Sequence, residues 1–238
     1  MLFRSWPLHL SFAVYLLALL VIGALIWFTQ DTSLRRARSI ASLSIRPRLS
    51  VPRDIRAQFV APAATGFCTM ALVGFYAALI PSILVHQLHD TNHAAAGLLV
   101  FELAVVVAGV IVATRQLASR TAMLWALVLM IPAVVLVVTA QILGSMTVMI
   151  IATAACGVAA GLGYRGSLQV VNQIAPDEQR AEVVSSYFVC CFSGNALPVI
   201  GIGVISTAAN ATVASLVFAA MIIAFALVAL VFGSRHTQ

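Results

Sequence analysis

Seven long apolar runs, parted by short polar interruptions, take up almost the whole chain. They extend from Leu8 to Thr29, Phe59 to Leu84, Ala94 to Thr114, Thr121 to Ala140, Met146 to about Ile174, Ala181 to Thr207 and Ala211 to Phe232. A hydrocarbon core of about 30 Å is crossed by roughly 20 apolar residues in helical conformation, and each run has that length. Outside them only one loop is sizeable, Gln30 to Gln58, and its Pro47, Pro52 and arginines argue against a packed domain. The expected fold class is an all-α membrane protein of about seven transmembrane helices. Its expected regions are a first transmembrane helix over 1–29, a basic loop over 30–58 and a six-helix unit over 59–238.

Composition points the same way. Of the 238 residues 62% are hydrophobic and 8% charged, and the mean hydropathy is +1.08, so a soluble surface cannot be built. The 13 basic residues, all arginine, outnumber 7 acidic ones and give a net charge of +6 and a pI near 9.8. Nucleic acid is the first partner such a charge suggests, and position excludes it. Arg35, Arg36, Arg38, Arg46, Arg48, Arg53 and Arg56 share one inter-helical loop with no aromatic residue among them to stack on bases. A loop of this kind belongs beside anionic lipid on the cytoplasmic side. With that loop inside, Arg115, Arg120, Arg180 and Arg235 also fall inside, and only Arg4 falls outside. The N-terminus is therefore expected outside and the C-terminus in the cytoplasm of a multi-pass protein of an inner or plasma membrane. Arg4 ahead of an apolar run imitates a signal peptide, but the run is too long and no small-residue cleavage site follows it. Cys68, Cys156, Cys190 and Cys191 all lie in apolar runs with no C-x-x-C spacing and read as small core residues.

After the first helix and the basic loop, the remaining six runs divide into triplets, Phe59 to Ala140 and Met146 to Phe232. Two inverted three-helix repeats are a transporter device. Each triplet opens with a helix expected to be interrupted, by Gly74 and Pro81 in one case and by Gly157, Gly161 and Gly163 in the other, and Gly157 and Gly161 also form a G-x-x-x-G that reads as a close helix approach. Arg115 and Arg120 in a short inner loop, Pro176-Asp177-Glu178-Gln179-Arg180 before the sixth run, and Gly194, Pro198, Gly201 and Gly203 within it complete a pattern. In order and topology this resembles the C-terminal half of a major facilitator superfamily transporter, preceded by the last helix of the N-terminal half and the central loop. The resemblance implies a secondary transporter of a small organic solute, coupled to protons and working by alternating access. It implies no cofactor. It also implies that the opposite wall of the path comes from a missing N-terminal half or a second copy, and that the chain alone does not transport.

Glu102 is the sharpest single signal. At about 1.5 Å per residue from His93 it lies roughly 13 Å deep, where an ionised carboxylate is costly. It is expected either to carry a proton or to stay neutral and tie helices together. Arg165 comes out roughly 28 Å from the outer face, too far to pair with it, and instead begins a polar stripe with Gln169, Asn172 and Gln173. That stripe either lines a cytoplasmic vestibule that attracts an anionic or dipolar solute, or is a helix end emerging into water around a snorkelling arginine. Asn195, deep in the sixth run, and Tyr76, between Gly74 and Pro81, are the other candidates for the solute path, with burial against a neighbouring helix the alternative for Tyr76. Glu182, Ser186, Cys190 and Ser193 share a face that reads as a packing seam.

Other patterns lead nowhere. Gly161, Gly163 and Gly166 spell G-x-G-x-x-G, yet no strand precedes them and no βαβ unit surrounds them, so a dinucleotide site is excluded. His86, His89 and His93 read as solvated rather than metal-binding, and Asn210-Ala211-Thr212 as a chance sequon. An intramembrane enzyme would need paired acids, H-E-x-x-H or G-x-S-x-G, and none occurs. A non-transporting scaffold or remnant remains the alternative to a transporter.

Overall fold

The structure, a computed structural model, describes residues 7–29, 49–88 and 93–235. The described residues hold seven α-helices: α1 (Pro7–Trp27), α2 (Arg56–His86), α3 (His93–Ala113), α4 (Ser119–Leu143), α5 (Met146–Ile174), α6 (Arg180–Ala208) and α7 (Ala211–Arg235). Six of them, α2 to α7, are long and apolar enough to cross a membrane, and α1 is apolar over Phe12–Trp27. The chain divides into two units, residues 1–47 with α1 and residues 48–238 with the six-helix bundle. Arg35, Arg36, Arg38, Arg46 and Arg48 lie outside the described residues. So does His89.

Helix ends follow local chemistry. Gly144 closes α4 at φ +58°, a left-handed position that costs glycine nothing, and its N–H reaches the Ala140 and Gln141 carbonyls. Ser145 follows at once and its hydroxyl accepts from the Val148 N–H at 3.5 Å, starting α5. This two-residue turn lays α4 back along α5. Asn210, the residue of the apparent sequon, caps α7: its Oδ1 accepts from the Val213 N–H at 2.8 Å. Ahead of α2 the chain is more ordered than a loop reading allows, because Ile55 is buried against Val171, Val183 and Tyr187.

The expected interruptions of α2 and α5 are absent. Both helices run unbroken, α2 through Pro62 and Pro81. The glycines serve packing, as the G-x-x-x-G of Gly157 and Gly161 implies. In α5, a side chain on Gly161 would strike the Val107 carbonyl and Val110 of α3, one on Gly163 would strike Thr69 of α2, and one on Gly166 would strike the Met123 backbone of α4. The false dinucleotide motif is therefore three close approaches made by one central helix.

Within the bundle, α2 packs on α6 as α5 packs on α3, α2 meets α7 as α5 meets α4, and α2–α5 and α4–α7 form self-matching pairs. These are the pairings produced when the triplets α2–α4 and α5–α7 exchange under a two-fold axis. Phe75 of α2 stacks on Phe218 of α7 at 4.5 Å, and Phe67 on Phe225 at 4.9 Å. By contrast α3 and α6 bury little: 11% and 22% of their most apolar windows are covered.

Candidate functional site

Between those two sparsely covered helices runs a groove of about 370 Å³. Its floor is Thr69, Met70 and Val73 of α2 with Ala160 and Tyr164 of α5, and its walls are Val107 and Ile111 of α3 and Phe188, Cys191 and Phe192 of α6. Phe188 and Phe192, one helical turn apart, have ring centroids 6.3 Å from each other and make α6 an aromatic wall. Among the described residues no charged side chain lines the groove. Sequence reasoning missed every one of these residues. The available signal was the i, i+4 pair of phenylalanines in a helix otherwise marked by small and polar residues.

The five residues expected along one solute path fall in three places. Tyr76 is completely buried, on the wall of an interior cavity of about 10 Å³ between α2, α4 and α7 rather than on the groove. Asn195 presses its carbonyl and side chain against Gly74 of α2, where a Cβ would lie 2.6 Å from its Oδ1, so it seals a helix contact. Arg165, Gln169 and Asn172 sit together, but at the end of the bundle that carries the turn between α3 and α4.

Arg165 is 7% exposed, and its Nη2 donates to the carbonyls of Arg115 and Leu117, both at 2.8 Å. A helix end emerging into water with a snorkelling arginine does not describe this. The guanidinium turns inward and pins the α3–α4 turn to α5. Around it Ser119 donates to Gln169 Oε1 at 2.9 Å, and Asn172 bonds back to the Leu168 carbonyl. Arg120 donates to the Gly233 carbonyl at 3.2 Å, joining the start of α4 to the end of α7. Arg180 pairs with Asp177 at 2.6 Å on the surface, an exposed pair of little energetic weight.

Glu102 is half-buried beside the α3–α5 seam, while the Tyr76 hydroxyl adjoins Thr153 and Cys156 of α5. Among the described residues no ion pair holds Glu102. Arg165 binds just past the end of α3, at the Arg115 carbonyl 13 residues beyond Glu102, so the two charges stand well apart, in keeping with the roughly 15 Å of the depth reckoning. Five residues separate Glu102 from Val107, a rotation of roughly 140°, so Glu102 does not share the face that lines the groove.

The seam itself is close-packed: a Cβ on Gly157 would meet Val106 at 2.8 Å. On α6 the contact with α2 is made by Tyr187, Cys191 and Gly194, which lie against Gly66 and Phe67, while Ser186, Cys190 and Ser193 flank it half-buried. His86 bonds the Ser82 carbonyl at 2.9 Å.

Neither the curated proteins nor the solved structures contain a match to this chain. A family model does match: the Major Facilitator Superfamily model covers residues 1–199. That span takes in α1 to α5 and most of α6, including both flanks of the groove and the basic turn. With six helices long and apolar enough to cross a bilayer, the chain is a multi-pass membrane protein, and it belongs to the major facilitator superfamily of transporters.

Proposed function

We propose that the chain forms the solute-binding wall of a secondary transporter for a small organic solute, and that the solute is flat and largely apolar. The groove between α3 and α6 carries this reading. A volume of about 370 Å³ suits a small molecule, and the lining offers aromatic rings and aliphatic side chains with few polar groups. Sugars and ions would lose their hydration there without replacement. The opposite wall, from a matching set of helices or a second copy, covers the open side, and alternating access rocks the two walls against each other.

Proton coupling is assigned to Glu102. A half-buried carboxyl in mid-span is penalised by several kcal/mol when ionised, so it holds its proton until water reaches it. It sits on the α3–α5 seam, off the groove, so proton and solute meet the same helix on different faces. The remaining assignments are a cell membrane, inner or plasma, with the loop over 30–58 and the C-terminus cytoplasmic and the N-terminus outside.

The test is direct binding of a fluorescent aromatic probe to the purified chain in neutral detergent. Phe192 is 64% exposed, so Phe192→Ala removes a ring from the wall without opening the core. We expect the probe's Kd to rise about tenfold. An unchanged Kd, or equal competition by a sugar, overturns the reading.

A further inference from the structure

The recess at the α3–α4 turn is separate from the groove and has a chemistry of its own. It measures about 580 Å³ and is bordered by three arginines, Arg115, Arg120 and Arg165, with Ser119, Gln169 and Gln173 beside them. Among the described residues no carboxylate borders it. The only ion pair among the described residues, Arg180 with Asp177, lies elsewhere.

Three observations converge there. Arg165 is more than nine-tenths buried, and while its Nη2 is spent on two carbonyls, its Nη1 has no acceptor. A buried guanidinium nitrogen without an acceptor is expensive, and such groups normally find an anion or a carbonyl. Next, α4 starts at Ser119 behind Ala118, which offers no side chain to cap its first N–H groups, so a 25-residue helix turns its positive end to the recess. Finally, the hydroxyl and amides form a short relay: Gln173 donates to Ser119 at 3.4 Å and Ser119 donates to Gln169. Arg115 is exposed at the rim.

We infer that this recess is a binding site for a phosphate group, carried by a phospholipid headgroup or by free phosphate. A planar carboxylate would occupy one guanidinium fork. A tetrahedral phosphate presents oxygens in several directions at once, matching Arg115 at the rim, Arg165 at the base and the α4 N-terminus at the side. The site lies at the end of three spans, the depth at which headgroups lie. Binding would fasten the α3–α4 turn to α5 and so set how far α3 can slide on its glycine seam. The inference stands independently of the solute and proton readings above.

The experiment uses the full chain purified in neutral detergent, with the thermal unfolding midpoint read against added probe, since a ligand that binds the folded state raises it by mass action. One arm titrates inorganic phosphate against chloride at matched ionic strength. The other titrates short-chain phosphatidylglycerol against phosphatidylcholine in mixed micelles. We expect a saturable rise in at least one arm. A rise with the lipid alone assigns a headgroup, and a rise with inorganic phosphate assigns free phosphate as sufficient. Arg115→Gln, which changes only an exposed side chain, should raise the half-saturating concentration about tenfold. Arg165→Gln should do at least as much if it folds. Arg53→Gln removes the same charge outside the recess and should leave the titration at its wild-type position. No saturable rise in either arm, an Arg115→Gln titration that superimposes on wild type, or an equal loss in Arg53→Gln overturns the inference.

Discussion

The link between α5 and α6 includes one buried hydrogen-bond chain, and its polarity makes an unequal pair of mutants. These helices otherwise touch sparingly. Ser167 is fully buried and its hydroxyl lies 2.6 Å from the Gly163 carbonyl, which can only accept, so Ser167 donates there. Its oxygen is then free to accept from Tyr187, whose hydroxyl is 2.7 Å away. Tyr187→Phe removes the outer donor and leaves Ser167 still bonded to Gly163, with the ring still seated on Gly66. Nothing is orphaned, and the cost should be near the average for an interhelical bond in a membrane, about 0.6 kcal/mol. Ser167→Ala instead leaves the Tyr187 hydroxyl, on a residue of 0% exposure, with only the neighbouring Cys191 sulfur, a weak acceptor, in place of the serine oxygen. That costs about 1–3 kcal/mol. Equilibrium unfolding of the purified protein in mixed micelles of rising SDS fraction measures both. The double variant should be less destabilised than Ser167→Ala alone, because it removes that poorly paired hydroxyl. If Tyr187→Phe proves as damaging as Ser167→Ala, the donor assignment is wrong and the chain runs the other way.

Further outcomes follow from the same structure. Gly194→Ala drives a Cβ into the Phe67 backbone and should destabilise by about 1–3 kcal/mol in the same unfolding assay, whereas Gly201→Ala meets nothing within 4 Å and should be neutral or slightly stabilising. Glu102→Gln keeps shape and hydrogen bonding but cannot titrate, so proton-driven flux in vesicles should lose its pH dependence while solute binding persists. A variant with the wild-type pH profile would make Glu102 structural. Single cysteines at Ser44 and His89 report topology: an impermeant maleimide added to intact cells should label the second and not the first.

Glu102, Arg165 and the groove mark how far the sequence could be read. Glu102 was legible because a carboxylate in a long apolar run announces itself, and its separation from Arg165 follows from rise per residue alone. Arg165 was legible as a residue and not as a role. Its partners are the carbonyls of Arg115 and Leu117, backbone groups that carry no sequence signature and lie about 50 residues away along the chain. The solute path was assembled from polar residues on the premise that polar means functional, and the structure places Tyr76 in the core and Asn195 against Gly74 of α2 rather than on the groove.

The sequence by itself determined the number of helices, their ends to within a few residues, and the family, because span length is dictated by bilayer thickness and is written directly in runs of apolar residues. Tertiary structure alone decided which face of each helix meets another. In a soluble helix the apolar stripe names the buried face, but here the lipid-facing and protein-facing sides are equally apolar and no stripe exists. What distinguishes them is close approach. Gly161, Gly163 and Gly166 turn three different ways to three different helices, and only when α5 is set among α3, α2 and α4 does each glycine acquire its neighbour.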